Sequence, residues 1–305
     1  MPSRQSAAGS AVAPPQWERA TRHRYPPVLG RVLRDSTVRV AGGVILAMVV
    51  LAIIAPLLPL KSPEETDLYA VRGEPSSAHW LGTDEIGRDV LSRLVYGARV
   101  SMFVGLISVS VALVVGVPVG LAAGFRGGAA DTTIMRIVDV IISVPPLLLA
   151  IAITSTLGVG IRNAMIGIGL IAAPGYARLI RGEALVAREL DYVTAARSIG
   201  AGNLRLMFVH VFPATWPALI VQSSLGLAFA ILTEAALSFL GLGVQPPMPS
   251  WGGMLRVGYP FIQTAPWMVL APGAAIFVAV LAFNVLGDAL RDVLDPRLRN
   301  RTATL

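Results

Sequence analysis

Residues 100–124 read VSMFVGLISVSVALVVGVPVGLAAG, without one formally charged side chain. At about 1.5 Å of rise per residue, a helix over this stretch is long enough to cross the roughly 30 Å of hydrocarbon in a bilayer. Gly116, Gly120 and Gly124 recur at every fourth position, with Pro118 among them, so another helix can approach this one closely. Five further apolar runs lie near 40–60, 137–158, 163–180, 217–243 and 266–288. Pro145 and Pro146 should kink the third run, and Pro174 with Gly175 interrupts the fourth. An open sheet would leave backbone groups unpaired in lipid, so the expected fold is all-α, with about six membrane-spanning helices.

Composition agrees. Of 305 residues, 54% are hydrophobic and only 14% charged, and mean hydropathy is +0.68. A soluble domain carries about a quarter charged residues. The excess of 25 Lys and Arg over 18 Asp and Glu does not mark a nucleic-acid binder, because the arginines cluster between apolar runs. There is no cysteine, which removes disulfides, thiolate metal sites and thiol nucleophiles. A phosphate-binding loop needs a Gly-Lys-Ser/Thr ending, and the sole lysine, Lys61, follows Leu60. If ATP is used, another chain binds it.

The basic residues also orient the chain. With the N-terminus inside, eighteen of the 25 fall on inner segments, so both termini are expected in the cytosol. Residues 1–39 form a polar, arginine-bearing tail and 40–60 the first span. An outer loop occupies 61–99, the remaining five spans lie within 100–290, and 291–305 is a second tail. In the outer loop, Thr83 can cap an amphipathic helix whose face holds Ile86, Val90, Leu91, Leu94 and Val95, lying flat on the membrane.

Between the fourth and fifth spans, a loop over 182–216 contains DYVTAARSIGAGNLRLMFVHVFPATWPALI from Asp191. A connector needs only a few residues, so this segment is expected to dock a partner. Its spacing resembles the E-A-A-x3-G-x9-I-x-L-P loop of ABC importer permeases. Thr194, Ala195 and Ala196 take the first places, Gly200 the glycine, and His210, Phe212 and Pro213 the last, with Thr194 where the family usually has Glu. Small alanines suit a helix seated in a partner's cleft, and Gly200 suits a C-cap.

HWLGTDEIGRDVLSRLVYGARVSM at 79–102, GFRGGAADTTIMRIVDVIISVPPLLLAI at 124–151 and LTEAALSFLGLGVQPPMPSWGGML at 232–255 are similar to the second (DppC/OppC-type) permease of dipeptide, oligopeptide and nickel importers. The similarity spans roughly 35–300. It implies a type I ABC importer permease in the bacterial inner membrane, paired with a homologous permease. One or two ABC ATPase subunits, which hold ATP and Mg, and an extracytoplasmic peptide-binding protein complete the implied assembly. The implied ATPase-docking residues are Tyr192, Thr194, Ala195, Ala196, Arg197, Gly200, Ala201 and Asn203. The substrate is implied to be a di- or oligopeptide, with glutathione or nickel as alternatives.

Glu234 is the acidic residue well inside a membrane run. It is either a carboxylate on the transport path or gate, or a structural hydrogen-bonding group. Ser250 and Trp251 match the family and are candidates for the binding protein's landing surface. Trp80, Trp251 and Trp267 also fit an aromatic belt at the outer boundary. Asp131, Arg136 and Asp139 are expected to bracket the start of the third span as anchors or interface ion pairs, and His210 to hydrogen-bond backbone. His23 and His79 carry no site signal. No catalytic constellation or metal cluster is identifiable. An ion-coupled secondary transporter would place several ionisable groups in the membrane, which this sequence does not offer.

Overall fold

A computed structural model describes residues 35–294. Most of the two expected tails, and His23, lie outside the described residues. Among the described residues there is no β-strand, only an isolated bridge between Thr83 and Asp89.

The first helix, α1 (Ser36–Ile54), starts at Asp35, whose carboxylate accepts from the Thr37 and Val38 amides at 2.8 and 3.0 Å. The second, α2, is 37 residues long (Val90–Arg126), with Asp89 as its cap. The third run is two helices, α3 (Gly128–Ser143) and α4 (Pro146–Leu157), bent by 92°. Val144 is extended between them, the conformation that a following proline favours. The prolines therefore break this span rather than merely kink it. Next, α5 (Ile161–Ala187) continues uninterrupted past Pro174, and α7 (Trp216–Phe239) follows the short α6 (Asp191–Ser198). The short α8 (Trp251–Gly258) precedes α9 (Trp267–Leu294). Among the described residues, five helices are long and apolar enough to cross a bilayer, or six when the bent pair counts as one.

The glycine stripe on α2 finds its partner in α5. A Cβ at Gly116 would collide with the Ala173 carbonyl, one at Gly120 with that of Ala177, and one at Gly124 would stand 2.7 Å from that of Arg181. The two helices run in the same direction, so three glycines meet three successive turns, and Ser108 adds a hydrogen bond to Met165 O at 3.1 Å. This close approach holds only with no side chain at these positions. Helix α7 runs oppositely, with Ser101 beside Glu234 at one end and Gly226 against Val109 and Tyr176 further along. Helices α1 and α9 pack together on another side of the bundle.

The outer loop differs from expectation. Thr83 caps nothing; its hydroxyl donates to Ala70 O and accepts from Gly73 N. Residues 83–89 are turns, with Gly87 at φ 84°, where any Cβ would overlap the Asp67 backbone. The amphipathic face at Val90, Leu94 and Val95 is the opening of α2 itself, with Val90 and Val95 buried. The loop is a folded cap. Ser92 Oγ donates to Lys61 O at 2.6 Å, Arg93 to Pro63 O at 2.9 Å, and Trp267 Nε1 to Thr83 O at 3.1 Å.

Candidate functional site

At the end of the bundle where α2 and α5 finish, α6 projects as a short helix. Asp191 in its first turn and Arg197 in its last complement the helix dipole. One face turns inward: Val193 and Ala196 join Leu206 and Val211 in the same hydrophobic cluster. Gly200, at φ 89°, ends the helix. Its amide donates to Arg197 O at 3.0 Å, and the Ala201 amide donates to Ala196 O at 3.1 Å. These are the two bonds of a Schellman cap, for which glycine is the least strained residue. The chain returns through a turn at Asn203–Arg205, a π-helical stretch (Leu206–Val211) and a 3-10 turn (Phe212–Thr215) into α7. Tyr192 Oη donates to His210 O at 3.1 Å and ties the outgoing and returning segments together. His210 takes part through its backbone carbonyl rather than through the ring, whose expected bond to backbone is not seen among the described residues.

The outward face carries Tyr192, Thr194, Ala195 and Arg197, all exposed, with Asn203 further along. Ala196 is not on it. Two residues not singled out in the sequence complete this face: Ile199, 88% exposed, and Leu204, 70% exposed. An apolar residue just before Gly200 in a polar loop was the available signal.

An ion pair and an arginine–carbonyl hydrogen bond lock the base of this projection to the bundle. Arg181 holds Asp131 of α3 through two bonds of 2.7 Å, and Arg188 donates to Gly124 O at 2.9 Å. These contacts join α2, α3 and α5 where the chain leaves for α6. Arg136 is exposed, while Asp139 lies well inside α3 rather than at its start and pairs with Arg178 at 2.6 Å.

The other candidates are internal. Glu234 is 0% exposed; Ser101 Oγ donates to it at 3.2 Å and Ser238 Oγ at 2.7 Å. Ser238 Oγ in turn accepts from Val244 N at 3.0 Å, so the carboxyl joins α2, α7 and the following loop. Ser250 caps α8 by accepting from Gly253 N, and Trp251, 1% exposed, donates from Nε1 to Leu94 O at 3.0 Å. Both side chains are buried and hydrogen-bonded within this chain. Trp251 is likewise no belt residue, while Trp80 is exposed. His79 is buried, with Nδ1 3.0 Å from Asp89 Oδ1 and Nε2 3.1 Å from Lys61 Nζ.

Residues 116–300 match the family model described as "Binding-protein-dependent transport system inner membrane component". The chain is 44% identical to a dipeptide transport system permease protein DppC of Alkalihalophilus pseudofirmus, over 88% of each chain. It is 51% identical to a di/tripeptide permease DppC of Pseudomonas aeruginosa, over 72% of this chain and 73% of that one. It is also 42% identical to a glutathione permease GsiD of Pectobacterium atrosepticum, over 88% and 90%. Among solved structures, an inward-facing form of the MetNI methionine ABC transporter aligns with a TM-score of 0.56 at 19% identity, covering 67% of this chain and 96% of that one. That likeness carries the type I importer permease fold. The chain belongs to the family of binding-protein-dependent transport system inner membrane components.

Proposed function

We propose that this chain is the transmembrane permease subunit of an ATP-driven importer of short peptides. The observation that carries this reading is the built projection at α6, with a polar and apolar outer face and a base fastened to three helices, in a chain closely similar to dipeptide permeases. The arginine distribution favours α6 facing the cytosol. An ATPase subunit would grip Tyr192, Thr194, Ala195, Arg197, Ile199 and Leu204. Ala196, Gly200 and Ala201 act from behind by holding the helix and its cap. A homologous permease would complete the path, ATP and Mg would reside in the ATPases, and an extracytoplasmic binding protein would deliver the peptide. Closure of the ATPases would move α6 as a rigid body and shift the bundle between two states. Glu234 serves as a strut in this reading, not as a group on the path.

Similarity to the glutathione permease favours glutathione as a second substrate reading. Reconstituted complex supplied with dialanine or with glutathione separates the two, since only the transported compound accumulates when ATP is added.

A further inference from the structure

The bend between α3 and α4 opens a cavity of about 450 Å³ against α5 and α7, walled by Ile142, Gly175, Arg178, Gln222, Leu225 and Phe229 among others. Its polar members are out of place in a membrane. Arg178 lies nine residues before the end of α5, about 13 Å along the axis. Its partner Asp139 lies well inside α3. The guanidinium is committed to Asp139 rather than extended to an interface. Both side chains are nonetheless about half exposed, 51% and 53%. Lipid does not tolerate such a pair, so this face meets water or protein.

Gly175 stands on the same face. It is exposed on this wall, and a Cβ there would meet nothing within 4 Å. On the α2 stripe, by contrast, a neighbouring backbone occupies that space. We propose that this cavity is the chain's share of the peptide path, with Gln222 in its wall and the Asp139–Arg178 pair exchanging partners with a zwitterionic short peptide. The carboxylate terminus replaces Asp139 on Arg178, and the ammonium terminus takes Asp139. The inference rests on the peptide-importer reading.

The test uses the intact complex in proteoliposomes, with ATP-dependent uptake of radiolabelled dialanine. Gly175→Trp puts an indole into the cavity from a position where the Cβ itself meets nothing within 4 Å. It should cut uptake by at least about tenfold while partner chains still co-purify and ATPase activity persists; Arg178→Gln should cost about tenfold, the worth of one charge-assisted hydrogen bond. Because the chain lacks cysteine, Gln222→Cys places a unique thiol on it. A charged methanethiosulfonate should modify that thiol in the assembled complex. Normal uptake by Gly175→Trp, loss of the partner permease from that variant, or an unreactive thiol at 222 overturns the path. If the wild-type complex takes up no peptide, the importer reading falls and the path with it.

Discussion

Gly120 of α2 lies so close to the carbonyl of Ala177 in α5 that the space of a Cβ is already filled by backbone. This contact sits in the middle of the glycine stripe and sets the distance between the two most extensively packed helices. Gly120→Leu should destabilise the purified chain by about 1–3 kcal/mol or more, because backbone cannot yield as a side chain can. Gly182→Ala on the same α5 meets nothing within 4 Å and should gain about 0.5–1 kcal/mol. Thermal midpoints in detergent compare them; equal midpoints contradict the packing described.

Two neighbouring alanines should behave oppositely. Ala195→Trp, on the outer face of α6, is expected to leave the chain's thermal midpoint unchanged and to remove co-purifying ATPase. Ala196→Trp, on the buried face, should lower the midpoint whether or not partners are present. An Ala195→Trp chain that still retains ATPase shows that the docking face lies elsewhere.

For Glu234, shape matters more than charge. Glu234→Gln keeps an acceptor, and the serine hydroxyls of Ser101 and Ser238 can rotate to suit it, so stability should fall by no more than about 1 kcal/mol and transport should persist. Glu234→Leu strands both hydroxyls and should cost about 2–3 kcal/mol. Abolished transport in a stable Glu234→Gln complex would restore the carboxylate to the path.

The outer loop gives a pH signature. Glu85 donates nothing when ionised, and its Oε2 is buried without a partner, although Oε1 accepts from Arg88 at 2.9 Å. Burial first, then the adjacent Asp84 carboxylate, push the Glu85 carboxyl above its ordinary range. A carboxyl raised on folding costs stability above its folded-state pKa, and the cost fades as pH falls through that value. Glu85→Gln should therefore melt higher than wild type at pH 8, the gap narrowing on acidification. A gap that widens toward low pH contradicts this.

The spans were legible because hydropathy is local: 100–124 needs no partner to declare itself. The glycine stripe announced a close contact, but only the fold shows that α5 supplies it, since Ala173, Ala177 and Arg181 become a matching surface through tertiary packing. The projecting loop was legible from its length and from Gly200. Its division into inner and outer faces was not, because Ala195 and Ala196 differ only in what lies behind the helix. The expected helix at Thr83 failed where Gly87 adopts φ 84° and Asp84 folds back onto Arg88. Ser250 and Trp251 looked like surface because their hydrogen-bond partners, Gly253 N and Leu94 O, are set by the fold rather than by composition.

Affinity purification of this chain from native membranes in mild detergent, with its companions identified and the complex assayed in proteoliposomes, tests the central claim most directly. An ATP-driven peptide importer subunit should bring with it a homologous permease and ABC ATPase chains, and the complex should take up dialanine only with ATP. A lone chain or homo-oligomer, or uptake driven by an ion gradient without ATP, would contradict it.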